Sequence, residues 1–461
     1  MERATRRAVL RSGAVGLALL AGCQGTDDGT TTQTTTTGTT AGTTTSTVDR
    51  EAQRETAIRL VQSLADGEYE TAHGLLGPEV AQQLSVADLR GAWEQTTAND
   101  GAFVGVSDVQ RTTNQGYDVL VVRAQFEAGV LAVQVTFDGP TVVGLYFAPV
   151  PGEYEPPSYV DQSAFSERTV ALDSPACDLG ATLSLPNDGA SAGVVLVHGS
   201  GPNDRDETIG PNKPFRDLAW GLATKGVAVL RYDKRTYACD VATDALDFDA
   251  LVVDDALTAL SRLRAETDLS TTAVVGHSLG AYAAPRIAAQ DGDADAFLLA
   301  APSRPIYELV PEQVRYLANL DGTVTEAERE QIEAVQTVAD RLAAGDYEGG
   351  GFAWSAAFWQ DVADYDPVST ATSLDASVYA LQGGRDYQVS PEKDFPAWRD
   401  ALPEGHARLY DPLNHLFLSG EGPPNPSEYF EQGNVAETVV TDLANWLAAE
   451  GKREHVRAET S

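Results

Sequence analysis

Apolar positions along the chain follow several successive patterns. Ala57, Leu60, Val61 and Leu64 recur at helical spacing until Asp66-Gly67-Glu68-Tyr69 breaks the run. A second helical segment carries Leu75 and Leu76, and a third carries Leu89 and Trp93. After Asn99-Asp100-Gly101 the period drops to two. Segments 102–111, 117–127, 130–138 and 141–148 then predict an antiparallel meander, giving a first α+β domain over 50–150. Pro151, Pro156 and Pro157 mark a linker over 151–166. Beyond it, Val194–Val197, Val227–Tyr232, Ala273–Val275, Ala296–Leu299 and Val378–Leu381 are short apolar runs of buried-strand type. Helical stretches near 212–225, 249–266, 279–290 and 434–450 separate or follow them. The alternation predicts a mostly parallel α/β sheet over 167–451. Residues 303–372 interrupt it with the capping-box pattern Thr325-Glu326-Ala327-Glu328 and an aromatic-rich stretch, predicting a helical lid. Residues 452–461 form a charged tail.

The first 22 residues read as an export signal and not as structure. Thr5-Arg6-Arg7-Ala8-Val9-Leu10-Arg11 resembles a twin-arginine signal. The apolar stretch Ala14 to Ala21 is far short of the ~20 residues that span a bilayer. It ends in Leu20-Ala21-Gly22-Cys23, which resembles the lipobox of a haloarchaeal-type lipoprotein, with Cys23 as the lipidated residue. That resemblance implies an extracytoplasmic protein anchored to the outer face of the cytoplasmic membrane. Residues 23–49 are dominated by Thr, cannot bury a core, and read as a tether.

Charge narrows the picture further. The 461 residues carry 68 Asp plus Glu against 32 Lys plus Arg, a net charge of −36. Such a balance excludes ordinary binding to nucleic-acid phosphates or anionic headgroups. Only five of the basic residues are Lys, and 27 are Arg. A very acidic, Lys-poor surface resembles that of proteins from salt-adapted cells, where molar salt screens carboxylate repulsion. The three Cys lack the spacing of a structural zinc site, and no metal or organic cofactor is implied.

Candidate chemistry sits at Val274-Val275-Gly276-His277-Ser278-Leu279-Gly280. A serine nucleophile needs a sharp strand-to-helix turn, and flanking glycines leave room for it. The pentapeptide alone is weak evidence, but an apolar run enters it and Ala281-Tyr282-Ala283-Ala284 leaves as helix. Ser278 then needs a base. His73 lies in the other domain, His455 in the tail, His198 and His277 within backbone motifs, and His406 at a strand start. His415 remains, just after the strand Ala407–Tyr410. Asp386 follows the strand Val378–Leu381 and supplies the third member, with Asp366 and Asp411 as alternatives. The order Ser278, Asp386, His415 has gaps of 108 and 29 residues. His198-Gly199-Ser200-Gly201-Pro202 is placed to form an oxyanion hole, from the N–H groups of Ser200 and Leu279.

These motifs together identify a resemblance. The chain resembles an α/β-hydrolase of the serine aminopeptidase and dienelactone-hydrolase-like branch, whose members read H-G-S-G-P-x-D-R-D, R-Y-D-K-R and G-H-S-L-G. Here those motifs are His198–Asp206, Arg231–Arg235 and Gly276–Gly280. Many relatives carry a second Gly after the elbow, where this chain has Ala281. Upstream, Ala65-Asp66-Gly67-Glu68-Tyr69-Glu70-Thr71-Ala72, Trp93 and Gly101-Ala102-Phe103 resemble the DUF3887 domain, a small cone of nuclear-transport-factor-2-like type. The resemblance implies an α/β-hydrolase fold with a helical lid. It also implies a serine hydrolase that cleaves a small carboxylic ester through an acyl-enzyme. An aminopeptidase or a thioesterase shares the same chemistry, and a non-catalytic ligand-binding lipoprotein is the reading from another class. Oligomeric state is not set by the sequence. Asp204, Arg205, Asp206, Asp233 and Arg235 are either substrate contacts or loop-fixing ion pairs. Phe352, Trp354, Phe358 and Trp359 are either an acyl pocket or lid core. Cys177 and Cys239 are either a disulfide of an exported protein or free thiols, and neither has a neighbouring base.

Overall fold

The structure is a computed structural model describing residues 47–460, apart from 98–99, 115–116, 128, 150–153 and 321. The signal over 1–22, Cys23 and nearly all of the Thr-rich stretch lie outside the described residues. The described chain divides into two compact units at 152/153.

The first unit begins with α1 (Thr47–Ala65), α2 (Tyr69–His73), α3 (Pro78–Gln83) and α4 (Val86–Thr96). Four antiparallel strands follow in sequential order: β1 (Phe103–Asn114), β2 (Tyr117–Phe126), β3 (Val130–Asp138) and β4 (Thr141–Pro149). The apolar stripe Ala57, Leu60, Val61 and Leu64 packs with Leu89 and Trp93 against Leu120, Val122, Val133 and Val135. Alternation along β3 buries every second residue, as a half-covered sheet requires. Register shifts at Phe103/Gly105, Val106/Asp108 and Thr136/Phe137 bend the sheet over the helices into a cone.

The second unit is an eight-stranded mixed sheet. Its elements run β5 (Phe165–Asp173), β6 (Asp178–Pro186), β7 (Ala192–Val197), α5 (Pro214–Thr224), β8 (Val227–Tyr232), α6 (Arg235–Ala238), α7 (Asp254–Glu266), β9 (Thr271–His277), α8 (Leu279–Asp291) and β10 (Asp295–Leu299). After these come α9 (Ile306–Ala318), α10 (Glu326–Ala343), α11 (Ala356–Asp361), α12 (Pro367–Thr372), β11 (Val378–Gly383), α13 (Phe395–Ala401), β12 (Ala407–Tyr410) and α14 (Glu437–Thr460). The sheet order is β12-β11-β10-β9-β7-β8-β6-β5, parallel except where β6 meets β5 and β8. The chain leaves β7 toward β8 and then crosses to β9 on its other side. That reversal opens a crevice at the carboxyl ends of the central strands.

Strands β7, β8, β9 and β11 are buried along their whole length, which is why they read as unbroken apolar runs. One sheet face carries α5 and α14 through Phe215, Leu222, Val440 and Leu443. The other carries α7, α8 and the lid through Leu260, Ile287, Phe358 and Trp359. Strands β5 and β6 leave no apolar run in the sequence: Ser166, Glu167, Arg168 and Thr169 face solvent on the edge strand β5, and β6 alternates buried with half-buried positions. The stretch read as linker is docked from Tyr154 onward: Tyr154 donates to Asp217 and Tyr159 to the Val435 carbonyl. The last helix also runs through the charged tail to Thr460.

Candidate active site

The elbow owes its shape to two glycines and one strained serine. Ser278 sits between β9 and α8 at φ 54°, ψ −114°, a conformation that costs on the order of 1–3 kcal/mol. Its N–H donates to Leu299 O at 2.9 Å, and its carbonyl accepts from Tyr282 N at 2.9 Å. A Cβ at Gly276 would lie 2.2 Å from Gly280 O, and one at Gly280 would lie 2.1 Å from Val197 O. Any side chain at either position would push the elbow off the sheet. Ser278 is half-buried at the end of its strand, and Leu279 opens the helix whose N-terminus points positive dipole at the site.

Asp386 and His415 meet beside the elbow. His415 Nδ1 lies 2.7 Å from Asp386 Oδ2, and both residues are buried. Asp386 Oδ1 accepts the N–H groups of Gln388 and Val389, while Oδ2 also accepts from Gln382 Nε2 at 3.0 Å. The loop bearing His415 is held by Asn414, whose Oδ1 accepts from Leu416 N and Leu418 N. Asp366 instead caps α12, accepting from Val368 N and Ser369 N, and Asp411 is exposed. Gly199 brings the loop carrying Ser200 against the elbow, since a Cβ there would sit 3.3 Å from Ser278 Cβ.

Residues 194–448 match the alpha/beta hydrolase family, and residues 57–144 match DUF3887, a protein family of unknown function. The chain is also 35% identical over 402 residues to the esterase EstD of Thermotoga maritima, covering 85% of this chain and 95% of that one. The chain belongs to the α/β-hydrolase family. Among solved structures, the hydrolase resembles the esterase domain of a Rhodothermus marinus protein, at 19% identity, 61% and 97% coverage and a TM-score of 0.37. It likewise resembles a thermophilic esterase from Thermogutta terrifontis, at 18% identity, 61% and 98% coverage and a TM-score of 0.37.

The charged motif residues of this hydrolase fix loops. Arg205 grips Asp233 with two nitrogens, at 2.9 and 2.5 Å. Asp206 is held by Arg231 and Arg216, and Arg235 makes a two-pronged pair with Asp255. Lys234 donates to Gly199 O at 2.7 Å, and its burial pulls it down to about 8 against the opposing charges of Glu207 and Asp255. His198 is buried and pulled down to about 4, chiefly by desolvation, so it stays neutral at physiological pH. Phe358 and Trp359 are fully buried, and Trp354 stacks on Phe358 at 4.8 Å, which makes them lid core. Cys177 and Cys239 are joined as a disulfide with Cα atoms 5.9 Å apart. Among the described residues no cluster of His, Cys, Asp and Glu could hold a metal ion.

Sequence reading missed three contributors. Gln382 was legible as a polar residue closing an apolar strand. Asn414 and Glu207 sit in polar loops, where nothing in the local pattern distinguishes them from neighbours.

Proposed function

We propose that this hydrolase is a serine esterase acting on small carboxylic esters. The observation that carries the reading is the 2.7 Å contact of His415 Nδ1 with Asp386 Oδ2, delivered beside a serine on a strained elbow. The esterase named among its relatives supports the substrate class. In this reading Asp386 fixes the tautomer that leaves His415 Nε2 free to take the Ser278 proton. Ser278 Oγ attacks the ester carbonyl, and the N–H groups of Ser200 and Leu279 receive the developing oxyanion. His415 then returns the proton to the departing alcohol. A water activated by the same imidazole hydrolyses the acyl-enzyme and regenerates Ser278.

The same reading places the enzyme outside the cytoplasmic membrane, exported by the twin-arginine signal and anchored by lipid at Cys23. A Cys23→Ser chain should appear in the soluble extracellular fraction instead of the membrane fraction. The catalytic part is tested with p-nitrophenyl esters of increasing acyl length beside aminoacyl anilides, in molar KCl. Ester turnover with a chain-length optimum supports the esterase, and turnover of anilides alone would make it a peptidase.

A further inference from the structure

Behind the nucleophile lies a second acid–histidine pair that ester cleavage itself does not use. Glu207 and His277 are both buried, and Glu207 Oε2 lies 3.0 Å from His277 Nδ1. Among the described residues neither atom makes a hydrogen bond of regular geometry, so the two meet as a close, buried ion pair. Glu207 Oε1 accepts the N–H of Gly199 at 2.8 Å. His277 Nε2 lies 3.0 Å from the carbonyl oxygen of His415, with the two imidazole centroids 4.7 Å apart. Phe215, Leu218, Leu299 and Phe417 wall the pair with apolar surface.

Donor and acceptor chemistry sets the protonation state. A carbonyl oxygen only accepts, so Nε2 carries a proton; the Glu207 carboxylate 3.0 Å from Nδ1 draws a second proton onto that nitrogen by its charge. The ring that meets both demands is an imidazolium. Burial opposes both charges. Even so, the Glu207 carboxylate and the His415 carbonyl hold His277 above the ordinary histidine range, and His277 holds Glu207 below the ordinary carboxylate range. The other titratable groups facing the pair are His198, Lys234, Asp386 and His415.

We propose that Glu207 and His277 form a buried carboxylate–imidazolium clamp that positions the catalytic groups. The clamp fastens three pieces at once: Gly199 beside Ser200, the residue preceding Ser278, and the backbone of His415. The inference rests on Ser278 and His415 being nucleophile and base. A displacement of about 1 Å among such groups costs on the order of 10²-fold in rate.

Two variants of the full-length chain test the clamp in the ester assay, and His277→Asn joins them in the spectra. Glu207→Ala removes both contacts and should lower kcat about 10- to 100-fold with KM changed less than about 2-fold. Glu207→Gln keeps an oxygen for Gly199 and offers its N–H to a neutral His277, whose Nε2–H still reaches His415. It should therefore restore kcat to within about 3-fold of wild type. Histidine side-chain ¹H–¹⁵N spectra supply a readout that simple destabilisation does not move. Near neutral pH the wild type should show a doubly protonated ring that is missing from Glu207→Gln and from His277→Asn. Full kcat in Glu207→Ala, a Glu207→Gln enzyme as slow as Glu207→Ala, or no doubly protonated ring in the wild type overturns the clamp. Ester turnover that survives Ser278→Ala would instead remove the nucleophile reading. Loss of turnover there alongside full kcat in Glu207→Ala removes the clamp alone.

Discussion

Both oxygens of Asp386 are committed. Backbone N–H groups of Gln388 and Val389 fix Oδ1, so Oδ2 must face His415 and Gln382. In Asp386→Asn the same backbone groups would hold the amide oxygen and turn its NH2 toward His415. The imidazole would then present an acceptor at Nδ1 and a proton at Nε2, the wrong tautomer to accept one from Ser278. We expect kcat to fall about 10⁴-fold with KM and fold preserved, measured by steady-state ester hydrolysis and circular dichroism. A second residue-scale effect concerns stability. His198 is pulled down to about 4 in the fold, while the unfolded chain takes up its proton near the ordinary histidine value. Above that value both states are neutral and nothing is lost. As pH falls from about 6.5 to about 4 only the unfolded state binds the proton, so stability drops by up to about 3 kcal/mol. Urea midpoints across that window should show a steeper acid decline in wild type than in His198→Gln. At this scale the pairing of Asp386 with His415 was legible because the two obey chain order and strand ends, as Ser278 does. The groups that orient them were not, because Glu207 is one acid in the run Asp204-Arg205-Asp206-Glu207 and only the fold shows which one meets His277.

Elements were legible where one pattern dominated. Central strands read from composition alone because both faces are buried, and α10 opens at the capping box Thr325/Glu328 that its sequence announces. The antiparallel pair β5 and β6 did not, because the edge strand β5 exposes polar side chains and β6 alternates buried with half-buried positions, so neither carries an apolar run. The lid was legible as an interruption, but the place of its aromatics was not. Tyr282, Tyr365, Phe248 and Phe358 form one edge-to-face cluster only once α8 and the lid are brought together. The disulfide also acts between elements, tying the turn after β5 to the end of α6 across a separation of 62 residues. Closing a loop of that size restricts the unfolded chain by about 2–4 kcal/mol. The Cys177→Ser, Cys239→Ser double variant should lose that much in denaturant unfolding. Reductant should lower the wild type equally and leave the double variant unmoved; an identical midpoint for both proteins would contradict this.

At the scale of the whole molecule, composition and fold answer different questions. The division into a helix-backed antiparallel cone and a mostly parallel α/β sheet was legible, since a switch of period at Gly101 and a run of apolar strands after Ala192 mark it. The net charge of −36 says nothing about that architecture but governs the conditions it tolerates. Self-repulsion among carboxylates is relieved as the Debye length shrinks from about 30 Å at 0.01 M salt to about 3 Å at 1 M. We therefore expect the melting temperature to rise steeply with KCl up to the molar range, and a salt-independent melting temperature would contradict a salt-adapted surface. Ester cleavage as proposed for this hydrolase turns on one side chain. The most direct test compares ester hydrolysis by the full-length chain and by Ser278→Ala, both verified as folded, in molar KCl. With Ser278 as the nucleophile, the variant should lose at least about 10³-fold in kcat. Turnover by Ser278→Ala equal to that of the wild type would contradict it.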